Sequence, residues 1–194
     1  MILAANTLES SRAIWYAMRA SGVVSLVLLT GVMLLGIATV ERWRPQNRPR
    51  FVTPALHRSI GLLAVTFAAL HVVTAVADSY AHVGLIAVVV PFAAAWKPFW
   101  VGLGTVSLDL AAALVLTSLA RGRLGPRLWR GVHWLAYLAW ALAVAHALGT
   151  GSDVGTPWLA AVTGACLAAV LGAAAWRLLQ PAGGKRLEPH EGTA

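Results

Sequence analysis

Charge is what this chain has least of. Only 11% of its 194 residues are charged, where a soluble domain carries about 25%. A water-soluble reading therefore starts badly. Cysteine is nearly absent too. Cys166 is the only one, which excludes an internal disulfide, a zinc cluster and an iron–sulfur cluster built from this chain. It lies in an apolar run and reads as inert packing. The N-terminus lacks a basic stretch followed by an apolar core and a small-residue cleavage site, so no cleaved signal peptide is expected. Acidic residues are few as well, and the net charge is +8. In a soluble protein that balance would point to nucleic acid. Here the basic residues lie between apolar runs, and topology explains them without a nucleic-acid partner.

What the chain does have is long apolar runs. A bilayer span needs about 20 residues, and five runs are long enough: Ser21–Val40, Pro54–Val76, Pro98–Ala120, Pro126–Leu148 and Pro157–Leu179. The fold expected is an all-α integral membrane protein, a bundle of about five transmembrane helices. Thr53-Pro54 and Thr156-Pro157 each offer a capping Thr before a Pro at the first helical position. Gly125-Pro126 marks the fourth start, and Pro181 ends the fifth run. The apolar stretch His82–Pro91 is too short to span and is expected to lie at the interface before the third helix. The chain divides into an N-terminal extracytoplasmic segment (1–20), a membrane domain (21–180) and a flexible cytoplasmic tail (181–194).

Orientation follows from Lys and Arg in the short loops. One side holds Arg42, Arg44, Arg48, Arg50, Arg58, Arg121, Arg123, Arg127, Arg130, Arg177, Lys185 and Arg186; the other holds Arg12, Arg19 and Lys97. The N-terminus is therefore expected outside and the C-terminus in the cytoplasm of a cell membrane. Trp residues gather at both boundaries: Trp15, Trp96, Trp100 and Trp158 outside, and Trp43, Trp129, Trp134 and Trp176 inside. Interfacial aromatic belts have this distribution.

Four of the six histidines lie within two of the five runs: His57 and His71 in the second, His133 and His146 in the fourth. Ionisable side chains in membrane helices are rare and usually functional. Both helices run from inside to outside, so His57 and His133 share an inner level, and His71 and His146 an outer one. At 1.5 Å per residue the levels are about 20 Å apart. Two imidazoles facing each other at one height are what a haem iron with two axial histidines needs. The pairs His57/His133 and His71/His146 thus read as ligands of two b-type haems. Covalent attachment would need C-x-x-C-H, which is absent. Six-coordinate iron leaves no open position for substrate, so electron transfer is the natural task. The spacing differs, fourteen residues in one helix and thirteen in the other. Fourteen returns within about 40° of the starting face and thirteen misses by about 140°. Either the fourth helix is locally overwound or its two haems approach from different sides.

Other residues are candidates in supporting roles. Arg58 and Arg130 flank the inner histidines and suit haem propionates, although the positive-inside rule places arginines there regardless. Trp140, midway between His133 and His146, is placed either between the haems or in bundle packing. Gly22 and Gly36 are fourteen apart, and with Gly61, Gly102 and Gly104 they allow close approach of a macrocycle or a helix. Lys97 is a partner for an outer propionate or anionic substrate, or a plain interfacial anchor. Asp109 sits at membrane depth and needs a proton or a partner. His82, with Asp78 and Tyr80, makes a weak outer metal or substrate site, and His190 belongs to the solvated tail.

The segments "HRSIGLLAVTFAALH" and "WRGVHWLAYLAWALAVAHAL", with "PFAAAWKPFWVGLGTV" between them, resemble the ferric-reductase-like transmembrane domain family. That family includes ferric reductases, NADPH oxidases and the haem subunit of bacterial methionine sulfoxide reductase. The resemblance covers about Ser21–Leu179. It implies two histidines on each of two helices, two bound haems and electron transfer across the bilayer. Reductases and oxidases of the family carry an FAD/NADPH domain after the last helix, whereas this sequence has no glycine-rich dinucleotide fingerprint. The resemblance therefore implies an electron-transfer subunit rather than a complete oxidoreductase. Its electrons would come from a separate flavoprotein or from quinol. They would leave to a ferric chelate or an extracytoplasmic redox partner. Two other functions fit the same residues. One is a non-redox transporter or assembly subunit using the membrane histidines and Asp109. The other is a quinol-oxidising cytochrome b of separate ancestry, with Asp109 as its acid.

Overall fold

The computed structural model describes residues 2–40, 51–78, 83–151 and 155–179, and side chains in the first helix from residue 11 to 39. Among these residues the chain is all helix and turn. The elements are α1 (Ile2–Val40), α2 (Val52–Ala77), α3 (Leu85–Val89), α4 (Pro98–Leu119), α5 (Arg121–Leu124), α6 (Pro126–His133), α7 (Leu135–Thr150) and α8 (Pro157–Leu179). Five helical stretches are long and apolar enough to cross a membrane: Ser11–Thr39, Val52–Ala77, Pro98–Leu119, Pro126–Thr150 and Pro157–Leu179. The all-α membrane bundle expected from the apolar runs is the observed architecture.

Three boundaries differ from expectation, each for a local reason. The first helix starts at Ile2 rather than Ser21, because residues 2–20 contain neither Pro nor Gly to stop it. The second starts at Val52, with Phe51 at the cap and no side-chain capping bond. Thr53 is thus inside the first turn rather than at its cap, and Pro54 still lies where no intrahelical N–H is needed. The fourth run is not one helix. It breaks at Trp134 into α6 and α7, with the Tyr137 N–H bonded to the Trp134 carbonyl three residues back at 3.2 Å. Where the prolines were read as first helical residues, at Pro98, Pro126 and Pro157, the helices begin there.

Packing follows two scaffolds. α2 rests along α1, and α7 rests along α4, while α1 also touches α7 and α8. A core of Leu26 and Met33 from α1, Trp140 and Val144 from α7, and Cys166 and Val170 from α8 joins the two. Cys166 is buried within it, as an inert packing residue should be. The apolar side chains Leu62, Leu70 and Val73 of α2 and Leu171 of α8 face outward. In water such surface would be costly, whereas in lipid it is the expected coat. Short α3 lies over the N-terminal half of α4. Its Ala87 carbonyl accepts from Thr105 Oγ1 at 2.7 Å, and Ala87 packs with Ala94 and Val101. This is the interfacial segment expected before the third span.

Candidate functional site

The helices that scaffold the histidines do so by one repeated device. His57 of α2 donates from Nδ1 to the Val32 carbonyl of α1 at 3.0 Å, and His71 donates to Met18 at 2.8 Å. His146 of α7 donates to the Trp100 carbonyl of α4 at 2.9 Å. Each accepting carbonyl lies four residues before a glycine: Gly36, Gly22 and Gly104. In a helix that carbonyl already takes the glycine's own N–H, so the imidazole adds a second bond and must lie flat over the glycine. A Cβ on Gly36 would stand 3.4 Å from the His57 ring, one on Gly22 2.9 Å from the His71 ring, and one on Gly104 2.5 Å from His146 Nδ1. These glycines admit imidazoles. Gly102 instead admits the Phe92 ring, and Gly61 faces no neighbour.

The four histidines form two pairs. His57 and His133 have ring centroids 6.2 Å apart with planes at 64°, and His71 and His146 also stand 6.2 Å apart, at 81°. The pairing is the one expected from depth. The thirteen-residue spacing is accommodated by the break at Trp134. There the Tyr137 N–H bonds three residues back, to the Trp134 carbonyl, which tightens the helix locally. Of the two alternatives, this bond favours local overwinding.

His133 differs from the others. Its Nδ1 is buried and has no hydrogen-bond partner among the described residues. The ring is held by stacking on Trp129, with centroids 5.0 Å apart and planes at 24°. Nothing in the sequence singles this histidine out.

The supporting residues fall as follows. Trp140 is buried in the core, and its indole N–H donates to Thr30 Oγ1 of α1 at 3.1 Å. It therefore pins α7 to α1. Arg58 and Arg130 are exposed, close in sequence to the His57/His133 pair, and Arg130 Nε donates to the Pro126 carbonyl of its own helix at 3.0 Å. Lys97 Nζ donates to the Gly149 carbonyl at 2.8 Å and lies over the Trp96 ring. It is a cation at the C-terminal end of α7, where the helix dipole favours one. Asp109 is exposed. Ser107, two residues earlier, faces α7 and donates to the Ala139 carbonyl at 2.8 Å. Two residues turn the helix by about 200°, so Asp109 points away from α7 and its histidines. Asp78 is buried, while Tyr80, His82, His190 and the loop arginines Arg42, Arg44, Arg48 and Arg50 lie outside the described residues.

Among the described residues, no group of three or more His, Cys, Asp or Glu gathers in one place. A metal ion held by protein side chains alone needs more ligands than a pair supplies. The donor set is two separate imidazole pairs, in an apolar bundle.

The family described as ferric reductase like transmembrane component matches residues 15–144. The matched span holds His57, His71 and His133, and His146 lies two residues past its end. No curated protein and no solved structure matches the chain.

Proposed function

The chain belongs to the ferric-reductase-like transmembrane family, an integral membrane electron-transfer family, and from that premise we propose that it is a b-type cytochrome holding two haems. His57 and His133 would bind the inner haem, and His71 and His146 the outer. The observation that carries this reading is the geometry of the pairs. A metal–imidazole bond is about 2.0–2.1 Å, and an imidazole centroid lies about 1.1 Å from its nitrogen, so two imidazoles on opposite sides of one ion stand about 6.3 Å apart. Both pairs stand at 6.2 Å. Distance alone would also suit an aromatic pair. The hydrogen bonds argue further: three of the four rings spend Nδ1–H on a carbonyl, which leaves Nε2 with its lone pair free. Metal-bound histidines are held and oriented in this way. A porphyrin supplies the remaining four ligands that a protein pair lacks. Haem, when bound, supplies a one-electron couple at each level.

The chain's own residues do the rest. The carbonyls of Met18, Val32 and Trp100 fix ring direction. The apolar faces of α1, α2, α4 and α7 exclude water. Arg58 and Arg130 place positive charge at the inner end, suited to propionates. With the basic loops inside, the N-terminus is extracytoplasmic and the C-terminus cytoplasmic, and the two levels form a path across the bilayer. Electrons would arrive from a flavoprotein or from quinol. They would leave to a ferric chelate or an extracytoplasmic redox partner. The placement of Asp109, away from the histidines, counts against its serving as a quinol acid beside a haem.

The test is a reduced-minus-oxidised absorption spectrum of the purified protein with haem counted per chain. Two b-type haems per chain is the expected result. Protein made with ample haem that shows no such absorption would overturn the reading and favour the transporter alternative.

A further inference from the structure

Three histidines sit on the same seat, and the fourth seat can be located by its register. On α1 the seats Met18/Gly22 and Val32/Gly36 are fourteen residues apart. On α4 the outer seat is Trp100/Gly104, and fourteen residues on from it lie Leu114 and Ser118. This is the inner end of α4, and Ser118 is in the neighbourhood of His133: Trp129, stacked on the His133 ring, reaches Ser118 Oγ from Nε1 at 3.5 Å. The position that is glycine three times is serine here. A hydroxyl also donates to the carbonyl at this seat, Thr117 Oγ1 to Leu114 at 3.2 Å, but that does not set the seat apart, since Ser21 Oγ donates to Met18 at 3.0 Å and His71 still bonds there. His133 Nδ1 is without a partner among the described residues.

Resting on the di-haem reading, we propose that the inner and outer haem sites are built unequal, and that Ser118 is the positioning residue that makes them so. An Nδ1–H bond to a carbonyl makes an imidazole a stronger donor to its metal. A stronger donor favours the oxidised iron, and hydrogen bonding around the ligands is one of the levers that set haem potential. Both outer ligands have that bond. The inner iron has it through His57 only. His133, gripped by its flat face on Trp129, is the weaker donor. The inner haem is therefore the more oxidising of the two. It is reduced first and reoxidised last at equilibrium. The exposed Arg58 and Arg130 at the same end act in the same direction, because positive charge favours the reduced iron.

The experiment is redox potentiometry on the purified protein, following the haem absorption, with low-spin electron paramagnetic resonance as a second readout. Wild type is compared with Ser118→Gly and Thr117→Val. Ser118→Gly restores the residue that the other three seats have, and Thr117→Val, which withdraws a hydroxyl of the kind Ser21 also brings to a working seat, is the control. The wild type is expected to show two distinct midpoint potentials. In Ser118→Gly the more positive one shifts to more negative values, the resonance of that haem changes, and the other haem stays put. Thr117→Val leaves both components where they are. Equal potentials in the wild type, or a shift of the more negative component, overturn the inference. So does a wild type with two haems whose potentials ignore Ser118→Gly, or shift equally in Thr117→Val, and in that case the di-haem reading stands. A wild type that binds no haem overturns both.

Discussion

Replacing Gly104 by alanine puts the smallest possible side chain into the tightest of the three seats. The new Cβ would lie 2.5 Å from His146 Nδ1, 2.7 Å from Cε1 and 2.9 Å from Cγ. All three neighbours belong to one ring packed against helix backbone, so the imidazole must retreat as a unit. Reaching ordinary van der Waals separation takes about 0.9 Å, a distance at which packing and hydrogen-bond energies fall steeply. The 2.9 Å bond to the Trp100 carbonyl lengthens beyond a useful hydrogen bond and His146 loses its alignment with His71. Loss of such a supporting bond costs roughly 10–100-fold in metal affinity. The assay is haem per chain, with optical and magnetic spectra to tell the levels apart. The expected outcome is loss or weakening of one haem only. The same substitution elsewhere supplies a graded series. Gly22→Ala, at 2.9 Å, should weaken the same haem less. Gly36→Ala, at 3.4 Å, should weaken the other one slightly, and Gly61→Ala, with nothing within 4 Å, should change neither. If Gly104→Ala and Gly61→Ala keep haem equally well, the seats do not hold the ligands and the reasoning fails.

Removing a ligand outright should be level-specific: His57→Leu and His146→Leu are each expected to lose one haem, and a variant retaining both would remove that residue from the ligand set. Thr30→Val leaves the buried Trp140 indole N–H without its acceptor, at a cost of about 1–3 kcal/mol. A lower thermal midpoint in detergent with haem content unchanged is the expected result, and an unaltered melting curve would mean that the Trp140–Thr30 bond does not tie α7 to α1. Asp109→Leu should leave both haems and both spectra as they are, because the residue points away from α7. A changed haem spectrum would refute that placement.

Much of the site is legible before any coordinates. His57 and His71 in one apolar run, with His133 and His146 in another, already define two levels, because helix rise is nearly constant and bilayer thickness limits where a span starts. The helix starts at Pro98, Pro126 and Pro157 were equally readable, since proline lacks the N–H that a helix interior requires. Thr53-Pro54 misled for the same local reason: Val52 can join the helix without cost, and a capping motif has no power over the residue before it. The role of Trp140 was ambiguous, because a position midway between two ligands along a helix does not say which way the side chain turns. Its bond to Thr30 depends on α1 lying alongside, a fact of packing.

The glycines show the division most clearly. Gly22 and Gly36 repeat at the interval of His57 and His71, and that coincidence is printed in the chain. What approaches them is not. The sequence alone determined that this is a five-span helical membrane protein with two histidine levels, because hydropathy, helix rise and charge bias are properties of single segments. Only the tertiary structure decided that α1 serves α2 and α4 serves α7, that the fourth span breaks at Trp134 between its two histidines, and that His133 lacks the seat the others share. Those are relations between helices, set by which carbonyl lies opposite which ring, and no segment carries that information by itself.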